Sequence, residues 1–283
     1  KKQKIKEIIE MQERLHATIG RKRKKAAIGI YPLEKIELPI TFKALEPDKI
    51  KFIPLDMERE LSGLEILQRH PAGKEYSQLL AGKVKFPIFI DAKEQILSMP
   101  PIINSQLTGK ITSETKDIFI ECSGSDLGIL KICLNIIVTC MADMGGKIYQ
   151  MELVRGGIRA KEITPDLTPR IMKISLENTN KLLGISLNER QIKELLEKMG
   201  YDYKNKIVEI PAWRADILHE VDLIEDIAIA YGYENFIPEI PEISTIGVED
   251  SKEKMKKNLA WILAGLGFLE ASSNHLTNKK NQI

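Results

Sequence analysis

Residues 211–236, Pro-Ala-Trp-Arg-Ala-Asp-Ile-Leu-His-Glu-Val-Asp-Leu-Ile-Glu-Asp-Ile-Ala-Ile-Ala-Tyr-Gly-Tyr-Glu-Asn-Phe, constrain this chain more than any other stretch. Asp216, Asp222, Glu225 and Asp226 punctuate an apolar series of Ile217, Val221, Leu223, Ile224, Ile227 and Ala228. The spacing predicts a helix from Ile217 to Ala230, with Asp222, Glu225 and Asp226 on one flank, because positions three and four apart are surface neighbours. Asp216 falls at the helix start, where a carboxylate can cap free backbone N–H groups. The greasy face must be buried against the rest of the fold. The acidic face repels itself unless a cation, or basic groups from a partner, neutralise it. From the residues alone, a solvated helix face with an N-cap fits as well as a metal site.

The chain has 283 residues, enough for two domains at roughly 100–200 residues each. A hydrophobic content of 43% and a charged content of 29% describe an ordinary globular protein. No apolar run approaches the roughly 20 residues that span a bilayer, and the first residues lack the pattern of a secretory signal. Cys122, Cys133 and Cys140 have no Cys-x-x-Cys spacing, so neither a disulfide framework nor a zinc site is expected, and a reducing cytoplasm is favoured. The net charge of +2 does not announce a nucleic-acid binder. The charge is uneven, however: Arg21 to Lys25 form an unbroken basic run of the kind that either stays solvated or grips a phosphate backbone.

The hydrophobic pattern predicts a helix from Ile5 to Leu15, a strand over 26–31, short strands across 36–56, and a helix from Met57 to Gln68. Strands follow at Phe86–Asp91, Ile96–Pro101 and Ile118–Cys122, then an apolar helix from Leu130 to Met141 and a strand from Lys147 to Leu153. Such an order suggests an α+β domain rather than repeated βαβ units. Gly156-Gly157 and the stretch from Thr164 to Pro169 read as a linker. Beyond it come a strand at Ile171–Ile174, helices at Leu176–Leu183 and Asn188–Met199, and two extended segments, Tyr201–Tyr203 and Ile207–Pro211, joined at Lys204-Asn205-Lys206. Helices with a two-stranded wing are what a winged-helix-like module requires. A second linker near Pro238 and Pro241 precedes a further helix, Met255–Leu266.

Two sets of residues carry a family resemblance. Pro211-x-Trp213-Arg214-x-Asp216-Ile217, the acidic-apolar helix and Tyr231-Gly232-Tyr233 resemble the hallmark of phenylalanine–tRNA ligase beta subunits. In that family four acids at these spacings hold magnesium near the junction with the alpha subunit. The resemblance gives that role to Asp216, Asp222, Glu225 and Asp226, the last of which is more often Glu in the family. Gln12-Glu13-x-Leu15-His16, the block from Gly20 to Ile30, Ser98-Met99-Pro100-Pro101-Ile102-Ile103-Asn104-Ser105 and Ile120-Glu121-Cys122-Ser123-Gly124 resemble the editing domain of archaeal and eukaryotic beta subunits. By that likeness Gln12, Glu13 and Arg23 bind substrate, and Ser98, Asn104, Glu121 and Ser123 line the catalytic pocket. Related archaeal sequences commonly carry Asp and Thr where Glu121 and Ser123 stand.

The resemblance covers nearly the whole chain and implies an α+β architecture. A mixed-sheet editing domain (B3/B4-type) would occupy 1–157, a winged-helix-like, DNA-binding-like (B5-type) module 165–240, and the start of a catalytic-like synthetase domain 250–283. The chain would then be a piece lacking the family's N-terminal region and most of its catalytic-like domain. It further implies a cytoplasmic heterotetramer of two alpha and two beta subunits acting on tRNA(Phe), with ATP and phenylalanine activated on alpha. This chain alone would not charge tRNA, but would hydrolyse mischarged Tyr-tRNA(Phe).

Such an enzyme needs a second pocket because tyrosine is phenylalanine plus one hydroxyl, and an apolar pocket rejects an added hydroxyl poorly. A site that hydrogen-bonds the hydroxyl discriminates well, since phenylalanine leaves its polar groups unpaired. Glu121 beside small polar groups suits that task. No Ser/His/Asp order supplies a nucleophile, so a water oriented by Ser98, Asn104 or the ribose hydroxyl is expected, with Arg23 on the terminal adenosine or its phosphate. Each residue also has a plainer reading. Ser98 and Asn104 flank a proline turn, Glu121 and Ser123 stand where they can cap the next helix as Asp126 can, and Cys133 and Cys140 suit core packing. His16, His70 and His219 belong to no motif. The rival to an enzyme is a non-catalytic module that binds RNA or protein with the same folds. A DNA-binding winged helix is disfavoured, because Glu189, Glu194 and Glu197 interrupt the basic face of its second helix.

Overall fold

The computed structural model describes residues 2–154, 161–240, 247–272 and 275–282. Contacts divide the chain into two units, Lys1–Tyr233 and Glu234–Ile283. The expected linker glycines Gly156 and Gly157, and Pro241, lie outside the described residues. Among the described residues no helix is long and apolar enough to cross a membrane.

In the first unit, helix α1 (Lys2–Ala17) leads through a tight turn into strand β1 (Ala26–Pro32), which is buried along its whole length. The turn is left-handed at three successive non-glycine residues, Arg21, Lys22 and Arg23, with φ of 48°, 54° and 61°. Backbone bonds from Arg23 N–H to His16 O and from Lys25 N–H to Gly20 O hold that costly conformation. Strand β2 (Thr41–Leu45) and the short pair β3 (Lys51–Phe52) and β4 (Leu61–Ser62) follow. The helix expected over Met57–Gln68 begins only at Gly63. Helix α2 (Gly63–Arg69) is started by a capping box in which Ser62 and Glu65 satisfy each other's free N–H groups, and the chain before it turns at Leu55-Asp56 and bends at Glu58-Arg59 instead of coiling. Helix α3 (Pro71–Tyr76) comes next, with proline at its first position.

Strands β5 (Phe86–Ile90), β6 (Ile96–Met99) and β7 (Ile103–Asn104) complete an antiparallel sheet of order β2-β5-β6-β7. Phe86, Ile88 and Ile90 point alternately into a core with Ile50, Phe52, Ile66, Met99 and Ile102. Strand β8 (Ile118–Gly124) returns to pair antiparallel with β1, and helix α4 (Leu127–Asp143) packs over both. Asp126 is the cap of α4, accepting from Ile129 N–H at 3.3 Å, so Glu121 and Ser123 are free of that duty. The core here joins Leu15, Ala26, Ile28, Ile30, Cys133, Ile137 and Val138. Strand β9 (Met151–Val154) pairs with β10 (Lys161–Thr164), four residues later than the strand expected from Lys147.

The remaining elements of this unit are β11 (Arg170–Lys173), α5 (Leu176–Leu183), α6 (Glu189–Lys198), β12 (Asp202–Lys204), β13 (Ile207–Ile210) and α7 (Glu220–Tyr231). The sheet order is β11-β13-β12. Asn205 and Lys206, both at positive φ, make the two-residue turn that suits the twist of the β12–β13 hairpin. Ile192, Leu196, Tyr201, Val208, Ile210, Leu223 and Ile227 close the core between helices and sheet. One buried amide ties this part to the preceding one: Asn135 Nδ2 of α4 donates to Asp166 O at 2.9 Å and to Ala212 O at 3.4 Å.

The second unit contains helix α8 (Ser251–Gly265), capped by Asp250 through Lys252 N–H at 2.7 Å. It begins four residues before the expected Met255, because the cap rather than the first apolar residue sets the start.

Candidate functional site

Strands β1, β6, β7 and β8 bring a polar cluster into the interior. The register pairs Gly29 with Glu121 and Ala27 with Ser123. Ser98 of β6 stands opposite Asn104 of β7. The hydroxyl of Tyr31 joins the two sheets: it lies 2.7 Å from Ser98 Oγ, 3.3 Å from Glu121 Oε1 and 3.5 Å from Asn104 Oδ1, the last at the outer limit of a hydrogen bond. Tyr31 and Ser98 are fully buried and Glu121 is 8% exposed, while Asn104 is half-buried.

Burial pushes the Glu121 carboxyl up to about 8, with Ser123 and Tyr31 holding it back, so the group is neutral at pH 7. Burial and then the Glu121 charge raise the Tyr31 phenol and the neighbouring Cys122 thiol well above their ordinary values. Two polar atoms of the cluster, Glu121 Oε2 and Ser123 Oγ, are buried without a hydrogen bond of good geometry, although the Ser123 hydroxyl lies near enough to the carboxyl to lower it. A native interior leaves few such atoms, and each one calls for a cause.

Of the seven residues expected to form the editing pocket, Ser98, Asn104, Glu121 and Ser123 are therefore gathered, around a tyrosine that no motif singled out. The signal for it was a polar-tipped aromatic in an otherwise apolar strand, since a buried phenol needs a partner. Gln12, Glu13 and Arg23 make a separate brace beside it. Gln12 Nε2 donates to Ile28 O at 2.7 Å, and Ile28 N–H donates to His16 Nε2 at 2.8 Å. His16 Nδ1 lies 3.2 Å from Glu13 Oε1, so His16 donates through Nδ1 and accepts through Nε2. That hydrogen bond, with the Arg23 charge, lowers the Glu13 carboxyl. Arg23 Nη1 donates to Pro101 O at 3.2 Å and Ile102 O at 3.0 Å, and Nη2 donates to Glu13 Oε1 at 3.1 Å. Its guanidinium also stacks on Tyr76, 4.4 Å from the ring centre. Arg23 thus pins the very turn that separates Ser98 from Asn104, and its side chain is only 15% exposed.

The acidic stretch is arranged differently from the expected flank. Helix α7 starts at Glu220, not Ile217, and Asp216 is not its cap. Instead Asp222 accepts from Leu218 N–H and His219 N–H, both at 2.7 Å, which lowers its carboxyl. Asp216 forms a two-pronged pair with Arg214, at 2.9 Å to Nε and 2.7 Å to Nη2, and is lowered by it. Asp226 faces the core, accepts a short hydrogen bond from Tyr201 and sits 2.7 Å from Arg214 Nη2, whereas Glu225 is exposed. The helix is rotated so that Asp226 points inward with Leu223 and Ile227, which splits the three acids between two faces. Arg214 stands where a cation would, between Asp216 and Asp226. Among the described residues no three His, Cys, Asp or Glu side chains are gathered closely enough to hold a metal. In this arrangement the four acids do not fit a magnesium ion.

Residues 172–233 match the family model described as the tRNA synthetase B5 domain. The chain is 42% identical over 283 residues to the phenylalanine–tRNA ligase beta subunit of Thermococcus sibiricus, covering 99% of this chain and 50% of that protein. It is 42% identical over 279 residues to the beta subunit of Archaeoglobus fulgidus, covering 97% of this chain and 50% of the relative. The chain spans about half the length of the curated relatives it matches. Among solved structures, an N-terminal fragment of the phenylalanyl-tRNA synthetase beta subunit from Pyrococcus horikoshii superposes with a TM-score of 0.77 at 42% identity, covering 81% of this chain and 67% of that one.

Proposed function

This chain belongs to the phenylalanine–tRNA ligase beta-subunit family, and from that premise we propose that its first domain hydrolyses tyrosine mistakenly esterified to tRNA(Phe). The observation that supports the reading is the buried pair Glu121 Oε2 and Ser123 Oγ, two neighbouring polar atoms that no well-formed hydrogen bond satisfies. A substrate phenol would satisfy both, and a phenyl ring would leave both bare. In the reaction a water oxygen bonds to the ester carbonyl carbon, the ester C–O bond breaks, and the ribose oxygen takes the proton. Asn104, at the half-buried edge of the cluster, and Ser98 are the groups assigned to orient that water. Glu121, neutral at pH 7, serves recognition rather than proton removal.

The wider reading has the chain as the beta half of a cytoplasmic enzyme of two alpha and two beta subunits, which charges tRNA(Phe) with phenylalanine at the expense of ATP on the alpha subunit. The editing domain (B3/B4-type) would occupy 1–157, the winged-helix-like B5-type module 165–240, and the first part of a catalytic-like domain 250–283. Magnesium belongs to the assembled enzyme in this reading: Asp216, Asp222, Glu225 and Asp226 would hold it with hard oxygen ligands only if Arg214 gave up Asp216 and Asp226. Magnesium added to this chain alone is therefore expected to shift its thermal midpoint by less than about 1 °C, since a ligand stabilises only in proportion to its binding. A shift of several degrees would show that the acids leave Arg214 without the alpha subunit.

The central test is deacylation by the chain as it stands. Tyr-tRNA(Phe) is expected to be hydrolysed at least about 100-fold faster than Phe-tRNA(Phe), with Asn104→Ala losing about 10–100-fold of the tyrosyl rate. Equal rates for the two esters at the level of spontaneous hydrolysis would favour a module that only binds.

A further inference from the structure

Tyr31 belongs to none of the motifs that carry the family resemblance, yet among the described residues it is the side chain whose hydroxyl reaches Ser98, Asn104 and Glu121 together. Its ring lies tilted against Phe119, centroids 6.0 Å apart, and is fully buried. Gly29, two residues earlier on the same face of β1, keeps the room it needs. A Cβ at Gly29 would stand against both the Tyr31 hydroxyl and Glu121 Oε1, nearer than real Cβ atoms ever come. The strand therefore omits a side chain at the one point where phenol and carboxyl meet.

We propose that Tyr31 is a positioning residue of the first-domain site: its hydroxyl, held between Ser98 Oγ and Glu121 Oε1, fixes the Glu121 carboxyl so that Oε2 and Ser123 Oγ are the pair presented to a substrate hydroxyl. The inference rests on the deacylase reading for its substrate and on the hydrogen-bond inventory for its geometry. A phenol carries one proton. Asn104 Oδ1 only accepts, and Ser98 can donate. When Ser98 donates to Tyr31 and Tyr31 donates to Oε1, Oε1 is the carbonyl-type oxygen and the carboxyl proton sits on Oε2. Oε2 is the carboxyl oxygen that lacks a protein partner. An incoming hydroxyl then meets one donor, Oε2–H, and one group, Ser123, that can donate or accept.

The groups that face Glu121 are consistent with a neutral carboxyl. Tyr31 on β1 and Cys122 beside it on β8 are both pushed up and uncharged at pH 7, and β6 and β7 contribute the neutral Ser98 and Asn104. Since the Tyr31 hydrogen bond lowers the Glu121 carboxyl from where burial alone would put it, removing that hydroxyl must raise it further.

The test compares the unaltered chain with Tyr31→Phe, which keeps the ring and deletes the hydroxyl. The ratio of Tyr-tRNA to Phe-tRNA deacylation is expected to fall at least about 10-fold, and the carboxyl midpoint of Glu121, followed by carbon NMR of labelled glutamate, to move upward. Purely structural support by the ring would move neither. An unmoved midpoint, or a moved midpoint with an intact ratio, overturns the assignment. Should the unaltered chain leave both esters intact, the deacylase reading falls while the midpoint still decides whether Tyr31 orients Glu121. Ser98→Ala, which breaks the same relay without touching the ring, is read in the same way if Tyr31→Phe does not fold.

Discussion

Glu121→Gln is expected to make the chain more stable at pH 8 and less able to tell a tyrosyl from a phenylalanyl ester. The carboxyl has an ordinary value of 4.5 and lies at about 8 in the fold, because burial penalises its charged form. Below 4.5 it is protonated in both the folded and the unfolded chain and contributes no difference. Between 4.5 and 8 the unfolded chain releases the proton while the folded chain keeps it, so stability falls as pH rises. Above 8 the deficit is complete and constant. Glutamine has nearly the same shape and no charge, so the variant lacks this fall. The advantage of the variant is expected to be small at pH 5 and on the order of a few kcal/mol at pH 8. Denaturant midpoints of both proteins across that range measure it. A variant advantage that does not change with pH would mean that Glu121 ionises like an exposed glutamate. The selectivity cost belongs to the same high-pH range: towards and above pH 8 the carboxylate accepts from a substrate hydroxyl, whereas the amide NH2 can only donate. Stability and function are opposed at this residue, as they often are at working sites.

Arg214→Ala is expected to cost about 3–5 kcal/mol, the range for removing one partner of a buried ion pair. Asp226 would be left inside the core with only the Tyr201 hydroxyl, and Asp216 would lose both prongs of its guanidinium contact. Arg214→Lys is expected to recover only part of the loss, because an ammonium cannot hold two carboxylates in a planar fork. Replacing both charges, as in Arg214→Met with Asp226→Leu, is expected to be milder than Arg214→Ala alone, since no uncompensated charge remains. Urea unfolding followed by circular dichroism checks all three. A loss below about 1 kcal/mol for Arg214→Ala would show that water already reaches Asp226.

Much of this fold is legible where the determinants are local. Asn188 with Gln191 three residues on announces the start of α6, and Asn205-Lys206 between two extended segments announces a hairpin. What escapes is whatever depends on a distant partner. The face that α7 turns inward is set by Tyr201 and Arg214, neither within its own periodicity, and so Asp226 reads as a surface acid and proves to be a core one. From its own stretch Arg23 reads as one of five cations that either stay solvated or grip phosphate, and the likeness of motifs puts it on substrate. Only the left-handed turn aims it inward, onto carbonyls nearly eighty residues away. At the candidate site, the likeness of motifs brings Ser98, Asn104, Glu121 and Ser123 into view. Tyr31 stays hidden, because an aromatic in an all-buried strand is what a core requires in any case.

The amide of Asn135 has a consequence for how such a chain can be cut or recombined. Of its two acceptors, Asp166 O lies within the linker expected over Gly156-Gly157 and Thr164–Pro169 and Ala212 O lies past it, so a break at 157 would separate donor from both acceptors. One piece would keep an apolar helix with a polar stump in its middle, and the other two carbonyls facing nothing. The seam that looks natural in the sequence is thus a poor crossover point for exchanging parts between relatives. A chimera would have to inherit Asn135 and the loops it holds from the same parent.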